Sequence, residues 1–157
     1  MFQIGDKVFY PMHGAGVIKA IEEKEILGKK QSYCVIAIPI SHMDIMLPMD
    51  KMEEFGVRSI IDKETMNHIL FDFHHVEPNC SLPWKERYQL NYDKLKTGSM
   101  SDSAEVIREL LQRNKEKALN ASEKQLLHQA QRNVISEISL IKNISENQAA
   151  DLLKVSS

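Results

Sequence analysis

Pro83 constrains this chain more than any other residue. Proline cannot extend a helix arriving from upstream, because it lacks the amide N–H and clashes with the preceding turn. Its fixed φ suits it to begin one. On its N-terminal side apolar residues mostly alternate with polar ones between close turns, the period of half-buried strands. On its C-terminal side they recur every three or four residues, the period of helices. A chain divided in this way is α+β with its two kinds of element segregated. The predicted architecture has two domains: a small antiparallel β-barrel of the Tudor or SH3 kind over residues 1–60, and an all-α bundle over residues 79–157. Residues 61–78 supply a helix and a connector.

The segment Phe2 to Tyr10 alternates around a Gly-Asp turn, and Pro11 to Gly16 is rich in residues that permit tight turns. Strands are expected over Gly16–Glu25, Ser32–Ile38 and Ser41–Leu47, with a hairpin turn at Leu27–Lys30 and a last strand or exit turn at Val57–Ile61. Asp62 is placed to cap a helix carrying Met66, Ile69, Leu70 and Phe73. After the helix begun at Pro83, Thr97-Gly98 is a stop signal, and Ser101 or Asp102 opens the next helix. Asn120, with Glu123 three residues on, fits a capping box that starts a long helix to about Lys142. Ser145 caps a short final helix.

Charge divides along the same line. Residues 1–78 carry eight Lys/Arg against twelve Asp/Glu, and residues 79–142 carry eleven against eight. An acidic first half and a mildly basic second half fit modules with different partners. The 43% hydrophobic and 27% charged shares are those of a globular protein. No run of eighteen apolar residues and no charged, apolar leader is present, so a cytoplasmic protein with reduced thiols is expected.

Signs of catalysis are absent. Gly14-Ala15-Gly16 lacks the third glycine and the Lys-Ser/Thr of phosphate loops, and His13 reads as a polar loop residue. His74, His75 and Cys80 are the nearest thing to a metal cluster, but they lack partners at ligand spacing. No enzyme, cofactor or metal is expected. A binding protein is the default, and the open edge offered by Met43–Leu47 suits backbone pairing with a partner strand. In the second half, Trp84, Tyr88 and Asn91 fall on one helical stripe with Arg87 alongside, and Lys85 and Lys94 are close by. Such a stripe fills a core or meets nucleic acid. A lone tryptophan in a helical domain is more often buried, but one at a helix N-terminus beside lysines can also wedge against a base step.

The motifs I-G-D-K-V-F-Y-P-x-H-G-x-G-V-I at 4–18, G-V-R at 56–58 and P-W-K-E-R-Y-x-x-N-x-x-K-L-x-x-G at 83–98 closely resemble the CarD/CdnL family of bacterial transcription regulators. A-E-V-I-R-E-L at 104–110 and S-E-K-x-x-L at 122–127 extend the resemblance over about residues 2–142. The first motif is also similar to the polymerase-binding domain of the transcription-repair coupling factor. The resemblance implies a Tudor-like domain that binds the β subunit of RNA polymerase and a helical domain that contacts promoter DNA at the upstream edge of the bubble. It makes Trp84 a minor-groove wedge that stabilises the open complex, with Lys85, Arg87, Tyr88, Asn91 and Lys94 as DNA contacts or supports. Lys24, Ile45, Met46 and Leu47 become polymerase contacts, and the protein a monomer when bound, carried to the nucleoid by polymerase. Two departures stand out: Glu86 where many relatives have a second basic residue, and Met46 where several have an arginine. The alternative is a protein–protein adaptor with Trp84 buried and no DNA contact. A sequence-specific repressor ranks third, because no helix-turn-helix spacing stands out.

Overall fold

The computed structural model describes residues 2–78 and 82–154. Five antiparallel strands come first: β1 (Lys7–Tyr10), β2 (Gly14–Ile26), β3 (Lys29–Ile38), β4 (Met43–Pro48) and β5 (Arg58–Ser59). Five α-helices follow: α1 (Lys63–His75), α2 (Trp84–Lys96), α3 (Met100–Glu116), α4 (Ala121–Lys142) and α5 (Glu146–Asp151). The α+β division at Pro83 is the observed one, with α1 preceding it.

The sheet runs β4-β3-β2-β1-β5 and is open. This corrects the expectation of a barrel. Closure needs a last strand long enough to span from β1 to β4, but β5 has two residues and pairs only with β1. Met52 and Val57, from the segment before β5, pack into the sheet's apolar cluster with Val8, Ile18, Ile36 and Leu47. Loop side chains thus cover the face that a closing strand would have covered. Where β2 crosses closest to β3, glycine is required: a Cβ on Gly16 would lie 2.4 Å from the Ala37 carbonyl oxygen.

The second core is helical and includes Met66, Phe73, Leu95, Ile107, Leu110, Val134 and Ile138. Helix α1 contributes Met66 and Phe73 to it, so the helix expected beside the connector packs with the bundle. Asp62 caps α1 by accepting the Thr65 N–H at 2.7 Å. Ser99, and not Ser101 or Asp102, caps α3, because the turn at Gly98 brings its hydroxyl to the Asp102 N–H. Ala149 and Leu153 are buried in the helical core, so the tail packs back on the bundle.

Helix α4 ties the two cores together. One stripe, with Leu126, Ala130, Val134 and Ile138, faces the helices. An adjacent polar stripe faces the sheet: Ser136 Oγ accepts the Ala15 N–H at 3.0 Å, Gln129 donates to the Met12 carbonyl at 3.0 Å, and Arg132 donates to the Ile40 carbonyl at 3.0 Å.

Candidate functional site

Pro83 occupies the N-cap of α2 and offers no side-chain cap, so Trp84 opens the helix in the first turn. Trp84 is 45% exposed. The other side chains expected beside it separate into two groups. Arg87 turns inward, 3% exposed, and its guanidinium binds Glu123 of α4 through Nε at 3.0 Å and a terminal nitrogen at 3.1 Å. Its other terminal nitrogen donates to the Leu82 carbonyl at 3.3 Å. Asn91 is fully buried, and no protein group hydrogen bonds to its amide among the described residues. Arg87 and Asn91 were expected at the DNA surface; the structure places both inside, where they fix α2 against the bundle. Arg87 also changes the helix cap. Asn120 accepts the Glu123 N–H at 2.8 Å, but the Glu123 carboxylate is held by Arg87 and does not reach back, so the capping box is half made.

The exposed group consists of Trp84, Lys85 and, partly, Tyr88. Lys94 is partly buried and pairs with Glu105 at 3.2 Å. Tyr88 meets the Trp84 indole edge to face with centroids 6.4 Å apart, and Tyr92 stacks on Tyr88 at 6.3 Å. Lys96 lies over the Tyr92 ring at 5.3 Å. The result is a four-residue ladder along α2 with the indole at its free end. The sequence carried this signal at positions 84, 88, 92 and 96, each one turn apart, although Tyr92 was assigned to a flanking stripe.

In the sheet, β4 is an edge strand. Register places Met46 opposite Val35, and Val35 opposite Ala20, so these share a face with Lys24 through the two-residue alternation of β2. Met46 is 40% exposed on that face, and Lys24 lies 3.9 Å from Glu22. Ile45 and Leu47 point the other way: Leu47 is buried and Ile45 packs against the sheet core. Of the expected polymerase contacts, Lys24 and Met46 present side chains outward, whereas Ile45 and Leu47 are core residues whose strand lies on the open edge.

Sequence reasoning missed the junction between the two parts. Arg58 sends all five N–H donors into it: to the Glu137 carboxylate at 2.7 and 2.8 Å, twice to the Gly98 carbonyl at 3.0 and 2.7 Å, and to the Ser59 carbonyl at 3.0 Å. Its guanidinium also lies 4.7 Å over the Phe9 ring. Glu137, 1% exposed, accepts the Ile61 N–H as well. A Cβ on Gly98, at φ 75°, would meet Pro11 Cγ at 2.8 Å. Pro11, Arg58 and Gly98, read above only as motif letters, thus meet at one joint.

Among the described residues no group of His, Cys, Asp and Glu could hold a metal ion, and Cys80 of the weak cluster lies outside them. No helix among them is long and apolar enough to cross a membrane.

The chain matches the family model "CarD, C-terminal domain" over residues 69–154 and the model "CarD-like/TRCF RID domain" over residues 2–61. It is 51% identical over 148 residues to a Bacillus subtilis (strain 168) protein named "Putative transcription factor YdeB", covering 94% of this chain and 97% of that protein. The chain belongs to the CarD/CdnL family. The solution NMR structure of the 72-residue N-terminal domain of Myxococcus xanthus CarD is 30% identical, with a TM-score of 0.33 and coverage of 38% of this chain and 79% of that one. In this CarD-family chain, the two model matches take in both exposed surfaces described above and both sides of the Arg58–Glu137 joint.

Proposed function

We propose that this protein is a non-enzymatic regulator of transcription initiation. Its sheet binds the RNA polymerase β subunit, and its helical part stabilises the promoter open complex through a Trp84 wedge in the minor groove at the upstream edge of the bubble. The observation that carries this reading is the exposed indole at the tip of a helix held by buried ion pairing. An aromatic wedge works only if it is free to reach a base step and rigid enough not to fold back. The exposure also weighs against the adaptor alternative, which needs Trp84 buried. Membership of the CarD family, whose RID domain is a polymerase-interacting module, supports the sheet as the polymerase side.

The energetics are consistent with a tethered wedge. Lys85 and Lys96 are the cations left outward on α2, so the helical part binds DNA weakly alone. Attachment to polymerase raises its local concentration to roughly millimolar. Restacking at the bubble edge is worth a few kcal/mol per step, and opposing one or two of these lengthens an open complex about tenfold. Little in this mechanism requires reading base edges.

The test separates the two surfaces. Met46→Glu is expected to weaken binding to core polymerase about tenfold, the scale of losing one buried apolar contact. Trp84→Ala is expected to bind polymerase normally but to lose protection of promoter DNA at the upstream bubble edge. Loss of polymerase binding in Trp84→Ala, or unchanged protection, would remove the wedge.

A further inference from the structure

We propose that the outer part of the β2–β3 hairpin is a docking finger whose tip, Ile26 and Leu27, seats in an apolar recess of RNA polymerase edged by carboxylates. The proposal rests on the reading that the sheet docks on polymerase, and it assigns to that surface a contact beyond Lys24 and Met46.

The hairpin outgrows its sheet. Pairing of β3 with β4 ends at Tyr33 opposite Pro48, and pairing of β2 with β1 ends at Val17 opposite Lys7. The ladder of β2 and β3 continues through Lys24 opposite Gln31 to Ile26 opposite Lys29. Residues 24–31 therefore form a two-stranded arm without a flanking strand. Two-stranded arms gain little from packing, so their residues answer to the turn or to a partner.

The turn is where the sequence breaks its own rules. Leu27 and Gly28 have φ of 53° and 79°, the left-handed pair that a two-residue hairpin favours. The first of these positions suits Asn, Asp or Gly, because a branched side chain is strained there. Leucine occupies it and is 99% exposed. Other non-glycine residues at positive φ have local reasons. Met12 packs against the helical core, and its carbonyl is held by Gln129. His42 ends a 3-10 turn, and Asn143 ends α4 as asparagine commonly does. Leu27 has no such compensation. A residue that is both strained and wholly exposed marks a place where a partner supplies what the fold does not.

The surroundings of the tip define the partner. Ile26 is 52% exposed and shares its arm face with Lys24 and Lys29. The opposite face carries Glu23, Glu25 and Lys30. An apolar point flanked by lysines on one face fits a greasy recess with acidic side chains at its rim. That face is continuous with Ala20, Val35 and Met46 of the sheet, so arm and sheet can engage one body together.

The experiment measures affinity for core RNA polymerase by biolayer interferometry, and thermal stability, for the full chain and for Leu27→Asn and Leu27→Met. Asparagine suits the left-handed position, so Leu27→Asn keeps or raises the melting temperature. It is predicted to lose affinity about tenfold, the scale of one leucine left unburied. Leu27→Met keeps an apolar tip and is predicted to stay within about threefold of wild type. Equal affinity in Leu27→Asn overturns the proposal. So does a loss of affinity that follows a falling melting temperature, or a loss confined to self-association of the chain. If wild type itself does not bind polymerase, the functional reading fails and the finger fails with it, a result distinguishable because it needs no variant.

Discussion

Arg87 and Glu123 are a buried pair, 3% and 4% exposed at their side chains, so either one alone is an uncompensated charge in the bundle. Arg87→Ala is expected to destabilise the protein by about 3–5 kcal/mol in urea titration, whereas the double substitution Arg87→Met with Glu123→Leu should recover most of that loss. A DNA-contacting arginine would behave differently, losing DNA affinity with little change in stability. The sequence could not separate these roles, because Arg87 lies beside Trp84 on the helix and its partner is 36 residues away. Trp84 itself was legible as a choice between core and surface, and the structure resolves that choice toward the surface. Its emission in the free protein should be red-shifted and readily quenched by acrylamide; blue-shifted, protected emission would mean that the indole is packed away.

At the scale of elements, start and stop residues were the most legible feature. Asp62, Pro83, Gly98, Asn120 and Ser145 all mark helix ends where local chemistry required them. Local chemistry also makes α1 sensitive to acid. The Thr65 backbone N–H, followed by its side chain, holds the Asp62 carboxyl below its usual range. The charged form is favoured by folding, so this contribution is complete above the unfolded value and is lost as pH falls through the lower folded value. Helix α1 should therefore weaken below about pH 4. Asp62→Asn keeps an acceptor at the cap and should remove that part of the acid dependence, measured by circular dichroism. The shift of the α3 cap from Ser101 or Asp102 to Ser99 was less legible, because several candidate caps lie within four residues and only the turn geometry at Gly98 selects one. Gly98→Ala should cost about 1–3 kcal/mol, from left-handed strain together with the clash on Pro11.

At the scale of the whole molecule, the division at Pro83 was readable from periodicity, but the way the two parts meet was not. Closing the sheet looked natural from strand count. What prevents it is a two-residue β5 whose Arg58 turns toward α4, a tertiary preference with no local signature. Likewise, Ser136, Glu137 and Gln129 read as the solvated side of a long helix until the sheet is laid against them. The joint gives the two exposed surfaces a fixed relation, which a tethered wedge requires. The account's central claim is that Trp84 lengthens the life of the promoter open complex while the sheet holds polymerase. The most direct test is the open-complex half-life with wild type and with Trp84→Ala, both at concentrations that saturate polymerase. The account predicts that wild type extends the half-life about tenfold and that Trp84→Ala loses most of this gain while still binding. Equal half-lives with the two proteins would contradict it.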